Sequence, residues 1–149
     1  MKIGIFYATY SGSTQTASEY LKQELEKLGH QVNLKMISEI NFEDILSYDL
    51  RIFASPSWDY EGKEGQPHQD FFTFMNNCQN KSFENKSFTI MGLGDSSYTH
   101  FCGAVDVLEE FIKSHQGIIK TSPLKIDGYL FDTDKNNQLI SNWAKQIGK

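Results

Sequence analysis

Cysteine is scarce in this sequence. Only Cys78 and Cys102 occur, with no CxxC pair and no histidine–cysteine cluster at metal spacing, so neither a disulfide framework nor a zinc site is expected. No apolar run approaches the roughly 18 to 20 residues that span a membrane. Lysine-rich runs and aromatics interleaved with basic residues are missing too, and 19 acidic against 14 basic residues leave a net charge of -5. That balance disfavours nucleic acid and anionic membranes and favours a basic protein partner. The opening MKIGIFYA passes directly into a strand pattern without the small-residue cleavage site of a secretory signal, so a cytoplasmic location is expected.

What is present is an ordinary globular composition of 149 residues, 39% hydrophobic and 22% charged, the size of one domain over residues 1–149 and expected as a monomer. Apolar runs of strand length alternate with amphipathic segments of helix length, the pattern of βαβ units and a parallel sheet. The first strand, residues 2–8, is apolar on both faces. A helix over 13–28 repeats Ala17, Leu21, Leu25 and Leu28 and stops at Gly29. Strands follow over 31–37, with an edge-like alternation, and over 50–55 and 87–93. Residues 71–75 continue a short helix begun near Pro67. Phe101, Ala104, Val105, Leu108, Phe111 and Ile112 form the stripe of a strong helix, 117–126 carries the fifth strand, and a helix with Leu139, Ile140, Trp143 and Ile147 closes the chain. The fold class is therefore α/β, five parallel strands with helices on both faces, in either a 2-1-3-4-5 order or a Rossmann-type half.

In open parallel sheets a ligand lies beyond the carboxyl ends of the strands, where strand order reverses. The loops after strands one, three and four are thus read as one site. The first, Thr9, Tyr10, Ser11, Gly12, Ser13 and Thr14, is a hydroxyl-rich turn leading into a helix, whose amides and N-terminus suit a phosphate. It has no GxGxxG for a dinucleotide, no GK[ST] ending of a P-loop, and no lysine or arginine, so a phosphate here is held by neutral donors, as suits a permanently bound monoester. Taken alone, the turn fits helix caps equally well. The second loop, Ser55, Pro56, Ser57, Trp58, Asp59 and Tyr60, places a tryptophan just beyond a buried strand; either a flat ligand covers it or it packs back on the core. In the third loop Gly92, Leu93, Gly94 and Asp95 lead to Tyr98, Phe101 and Cys102, the glycines letting backbone approach a polar ring edge and Tyr98 offering a second aromatic face. Cys102 has no supporting histidine and reads as structural, His68 and His100 read as solvated loop residues, and Asp127 and Gly128 as a turn.

Over nearly the whole chain these motifs resemble the flavodoxin family in its shorter form, without the extra loop that splits the last strand. Residues 9–14 are similar to its phosphate loop, Ser57 and Trp58 to its inner aromatic segment, and GLGDSSYTHFCGAVD, from Gly92 to Asp106, to its third-loop signature. The resemblance implies a three-layer flavodoxin-like fold in the 2-1-3-4-5 order. It implies FMN as cofactor, with phosphate on Thr9, Ser11, Ser13 and Thr14, the isoalloxazine between Trp58 and Tyr98, and Asp95 with the amides around Cys102 at the pyrimidine edge. Tyr10, Gly12, Pro56, Ser57, Asp59, Tyr60, Gly92, Leu93, Gly94 and Phe101 complete the expected cofactor-binding set. By the same resemblance the chain is no enzyme but a low-potential one-electron carrier, without catalytic residues or metal, shuttling between a reductase and acceptor enzymes that dock at an acidic rim of Asp59, Glu61, Glu64 and Asp95.

Three positions depart from the family pattern. Ser13 replaces a usual asparagine, Tyr10 a usual small residue, and Asp59 stands where many members have glycine beside the aromatic. In the family that peptide turns its carbonyl toward flavin N5 when the flavin is half reduced, a turn that Asp59 makes harder than glycine does. Residues 61–66 run longer than in the shortest members, and their path is left open. An FMN-dependent reductase would need a nicotinamide or quinone pocket over the flavin, for which rings on both faces leave little room. A signalling receiver would need carboxylates where residues 9–14 stand. A flavodoxin-like activator of a metalloenzyme differs in partner rather than cofactor and stays open.

Overall fold

The apolar runs fold where their burial on two faces demands it, in the middle of one parallel sheet. In chain order β1 (Lys2–Tyr7), α1 (Ser13–Lys27), β2 (Gln31–Met36), β3 (Leu50–Pro56), the hairpin strands β4 (Trp58–Tyr60) and β5 (Lys63–Gln66), α2 (Gln69–Asn77), β6 (Ser87–Gly94), α3 (Gly103–Ser114), β7 (Ile118–Ile119), β8 (Leu124–Asp127) and α4 (Thr133–Ile147) make up the computed structural model, which describes residues 1–149. The main sheet runs β2-β1-β3-β6-β7, all parallel, with β8 also on β6. This is the expected order with the fifth position filled by two short pieces. No helix is long and apolar enough to cross a membrane.

The direction of strand addition reverses between β1 and β3, and right-handed crossovers then divide the helices between the faces. On one face α1 and α4 contribute Ala17, Leu21, Leu25, Ile140, Trp143 and Ile147 to a largely aliphatic core. On the other, α2 and α3 close over a phenylalanine-rich core that includes Phe6, Phe53, Phe71, Phe74, Phe83, Phe88 and Phe111. Each such buried side chain contributes about 1.5–3 kcal/mol. The sole arginine, Arg51 on β3, is buried among them without a carboxylate: its guanidinium donates to the carbonyls of Ile45, Leu46, Tyr48 and Ser87 and lies 5.4 Å from the centre of Phe88. That set of donors ties residues 45–48 to the sheet, and burial draws the arginine's pKa down to about 10.

Four details of the sequence reading are corrected. The fifth strand is broken at residues 120–123, where Pro123 has no N–H for the ladder; the Thr89 hydroxyl donates to the Thr121 carbonyl at 2.8 Å and the Trp143 indole to Ser122 at 2.8 Å, holding the break. The second helix begins at Gln69 rather than near Pro67, because His68 forms its N-cap. Phe101 precedes α3 instead of lying on it. Leu28 and Leu139 face outward, since α1 ends at Lys27 and α4 buries Ile140, Trp143 and Ile147.

Candidate functional site

At the switch point between β1 and β3, beyond the carboxyl ends of β1, β3 and β6, lies a cleft of about 380 Å³. Of the expected site residues it is lined by Thr9, Tyr10, Ser11, Ser13, Thr14, Pro56, Ser57, Leu93, Gly94, Asp95 and Tyr98. The turn after β1 is shaped by Gly12, whose φ of 96° is the left-handed conformation that costs a residue with Cβ; its N–H donates to Thr9 Oγ1 at 2.8 Å. Thr16 returns to the Gly12 carbonyl through both its N–H and its hydroxyl. The hydroxyls of Ser11, Ser13 and Thr14 have no protein partner, and α1 begins with neither a side-chain cap nor an acidic residue in its first turn. Unpaired donors on a 15-residue helix end make an anion site without any basic side chain.

Past β3 the chain doubles back as the β4–β5 hairpin, which the apolar pattern did not announce. Glu61 and Gly62 form its turn at φ 52° and 78°, and Glu64 and Gly65 together oppose Asp59, a bulge made possible by Gly65 at φ 77°. The hairpin is pinned to the third loop: Gly65 and Gly103 approach so closely that a Cβ on Gly103 would lie 2.7 Å from the Gly65 carbonyl oxygen. Glu64 Oε1 also accepts the His100 N–H at 3.1 Å. Trp58 is 39% exposed and lies neither in the core nor on the cleft floor but against Tyr10, ring centres 4.2 Å apart. Tyr60 instead packs on Phe72, and Asp59 points to solvent within β4. Tyr98, 50% exposed, lines the cleft from the chain's third loop.

The glycines of the third loop also serve a packing purpose. A Cβ on Gly92 would lie 2.4 Å from Val105 Cγ2, and one on Gly94 would lie 3.0 Å from Cys102 Sγ, so both make room for the start of α3, and Gly94 lines the cleft as well. Cys102 is buried in the left-handed conformation, its Sγ 3.6 and 3.7 Å from the carbonyls of Gly92 and Ile126, and burial pushes its pKa up to about 11, which suits a structural thiol. Ser57 caps α3 from outside by accepting the Ala104 N–H at 2.9 Å. Asp95 and Asp127 order the loop through the Ser97 and Ser96 N–H groups, and the Ser96 bonds hold the Asp127 carboxyl below its usual range. Phe101 borders a separate polar groove of about 790 Å³ between the hairpin and α3, whose walls offer little for a flat ring.

Two features were missed. His68, read as solvated, is buried. Gly128, Tyr129, Leu130 and Phe131 form the far wall of the cleft, with Leu130 63% and Phe131 90% exposed. Two adjacent large apolar residues just after the Asp127–Gly128 turn were the available signal. In sum the residues fit a flat heteroaromatic group bearing one phosphate: neutral donors at one end, aromatic and apolar walls at the other, in a volume ordinary for a small-molecule site.

The flavodoxin family profile matches residues 5–138. The flavodoxin of Maridesulfovibrio salexigens is 33% identical over 144 residues, 96% of this chain and 94% of that one, and the flavodoxin of Nitratidesulfovibrio vulgaris is 29% identical over the same shares. Among solved structures, oxidised flavodoxin 2 from Bacillus cereus superposes with a TM-score of 0.86 at 27% identity, covering 99% of this chain and 97% of that one. Flavodoxin from Fusobacterium nucleatum, solved bound to flavin mononucleotide, gives 0.81 at 18% identity over 98% and 96%.

Proposed function

The chain belongs to the flavodoxin family, and from that membership we propose that it carries single electrons between a reductase and acceptor enzymes with a non-covalently held FMN, and is not itself an enzyme. The observation that carries this reading to the residues is the helix end at Ser13, where free hydroxyls and amides without basic side chains open on the same cleft as Tyr98. FMN supplies the one-electron chemistry when bound. Thr9, Ser11, Ser13 and Thr14 receive its phosphate, Trp58 and Tyr98 flank its ring and exclude water, and the backbone at Trp58 and Asp59 offers the carbonyl that holds the N5 proton. Asp95 lies toward the ring's polar edge. Asp95 lines the cleft, and the exposed carboxylates Asp59, Glu61 and Asp127 lie in the loops next to it. A unit charge about 10 Å from a site gaining an electron opposes that gain by roughly 0.4–1.7 kcal/mol, or about 20–70 mV. The same rim steers a basic partner and loses that pull as salt rises. On this reading the chain works as a single domain, alone in solution.

The purified protein is expected to be yellow, and chromatography of the released cofactor to give FMN. FAD or riboflavin as the tight ligand would overturn the assignment of the hydroxyl turn. Reduction by a basic reductase should slow as ionic strength rises; a salt-independent rate would remove the acidic rim from the docking surface.

A further inference from the structure

His68 sits behind Tyr10 of the cleft wall, 5% exposed, in surroundings that favour its neutral form. Its Nδ1 accepts the Asp70 N–H at 3.0 Å and so carries no proton, leaving the ring's single proton on Nε2. Its own N–H donates to Ser55 Oγ at 3.0 Å. The imidazole stacks on Tyr10 with centres 3.9 Å apart and planes at 22°, and Tyr10 in turn lies against Trp58. The Tyr10 hydroxyl accepts the Gln69 N–H at 3.2 Å. Tyr10 is the position where the family pattern has a small residue, so this ladder from α2 through the turn to the hairpin is built on a departure of this chain.

We propose that His68 is a positioning residue of the flavin site: its neutral ring, stacked on Tyr10 and capping α2 through Nδ1, holds the phosphate turn and Trp58 in register. The proposal rests on the flavin-binding reading. A proton on Nδ1 would set one N–H against another, undoing the α2 cap and the support under Tyr10. Of the groups facing the ring, Asp70 from its own helix is the one carboxylate, with Oδ2 3.6 Å from Nδ1; the turn presents the Tyr10 phenol and Thr9 carbonyl, and β3 the Ser55 hydroxyl. Burial lowers the histidine's pKa, and Asp70 and the Thr9 carbonyl offset that only in part. The sign follows: below the unfolded-chain value of about 6.5 the unfolded protein takes up the proton first, so the neutral arrangement loses stability as pH falls.

The test compares wild type with His68→Asn, which keeps an acceptor for the Asp70 N–H but has neither ring nor titration, and with His68→Phe, which keeps the ring but not the acceptor. FMN dissociation constants are measured from pH 8 to pH 5 by flavin fluorescence. Wild-type affinity should fall about five- to tenfold more over this range than that of either variant, the loss of one cap; titration of the FMN phosphate is common to all three and cancels. Tryptophan emission of the apoproteins, in a Trp143→Phe background that leaves Trp58 alone, should titrate with acid in wild type and stay flat in His68→Asn. Coincident affinity profiles, or coincident emission profiles, would overturn the proposal. Failure of wild type to take up FMN at any pH would instead reject the flavin reading, and the emission profiles would still decide the role of His68.

Discussion

The turn at residues 9–14 lines the cleft, and the hairpin formed by β4 and β5 stands next to it, joined to the turn through Trp58 and Tyr10; the two are built on opposite principles. In the turn, three hydroxyls and the first amides of α1 are left without partners. In the hairpin nearly everything is engaged: a bulged ladder, the Gly65–Gly103 contact, the Glu64–His100 bond, Trp58 on Tyr10. The difference teaches where each kind of specificity comes from. Charge is received by donors that are free to turn toward it, whereas a flat ring, which has few directional bonds, must be met by a wall already fixed in place. Tyr10 belongs to both regions and joins them.

The comparison is broken most severely at the turn. Each neutral donor to a charged group is worth about 1.5–3 kcal/mol, so Ser13→Ala combined with Thr14→Val should weaken FMN binding by more than about a hundredfold. Riboflavin, which lacks the phosphate, should bind both proteins alike. Trp58→Ala and Tyr98→Ala should act the other way, weakening FMN and riboflavin equally, by about 1–3 kcal/mol each on the analogy of base stacking, with flavin fluorescence recovering. Equal losses of both ligands in the turn variant would show that the turn does not read the phosphate.

How the hairpin is held is a smaller effect. Gly103→Ala places a Cβ 2.7 Å from the Gly65 carbonyl oxygen. Overpacking of this kind costs about 1–3 kcal/mol, partly offset by about 1 kcal/mol of helix propensity, so a fall of about 2–4 °C in Tm is expected by calorimetry. An unchanged Tm would mean the two segments separate readily.

The two regions were unequally legible in the sequence. The turn could be read because its composition is local: four hydroxyls and a glycine between an apolar strand and an amphipathic helix. The same holds for the buried strands and the sheet order. The hairpin could not, since only Gly62 between aromatic and polar residues hinted at it, and its anchor, Gly103, lies 38 positions beyond Gly65 in the chain. The packing role of Gly92 and Gly94 was hidden for the same reason: the neighbours that require it, Val105 and Cys102, come later in the chain. His68 looked solvated because the ring that covers it comes from the first loop. Locally encoded features were visible, and those created by contact between distant loops were not.

The finest test concerns Asp59, which departs from glycine at the peptide beside Trp58 and lies in β4 with two residues opposite it. On the proposed reading a carbonyl there would accept a proton on flavin N5 only after the peptide turns, and aspartate reaches the turned conformation less easily than glycine because its Cβ meets the backbone. The bulge at Glu64 and Gly65 leaves Asp59 without a register partner, but the pairs Trp58–Gln66 and Tyr60–Lys63 on either side hold it within the hairpin. Asp59→Gly should therefore raise the first one-electron potential, by about 40 mV for each kcal/mol of strain removed. Removing the carboxylate raises it as well, so Asp59→Asn is measured beside it by photoreduction, both potentials being followed. A larger rise in the glycine variant isolates the backbone contribution. Equal shifts in the two variants would show that Asp59 acts through its charge, and that the hairpin is fixed around this peptide whatever its side chain.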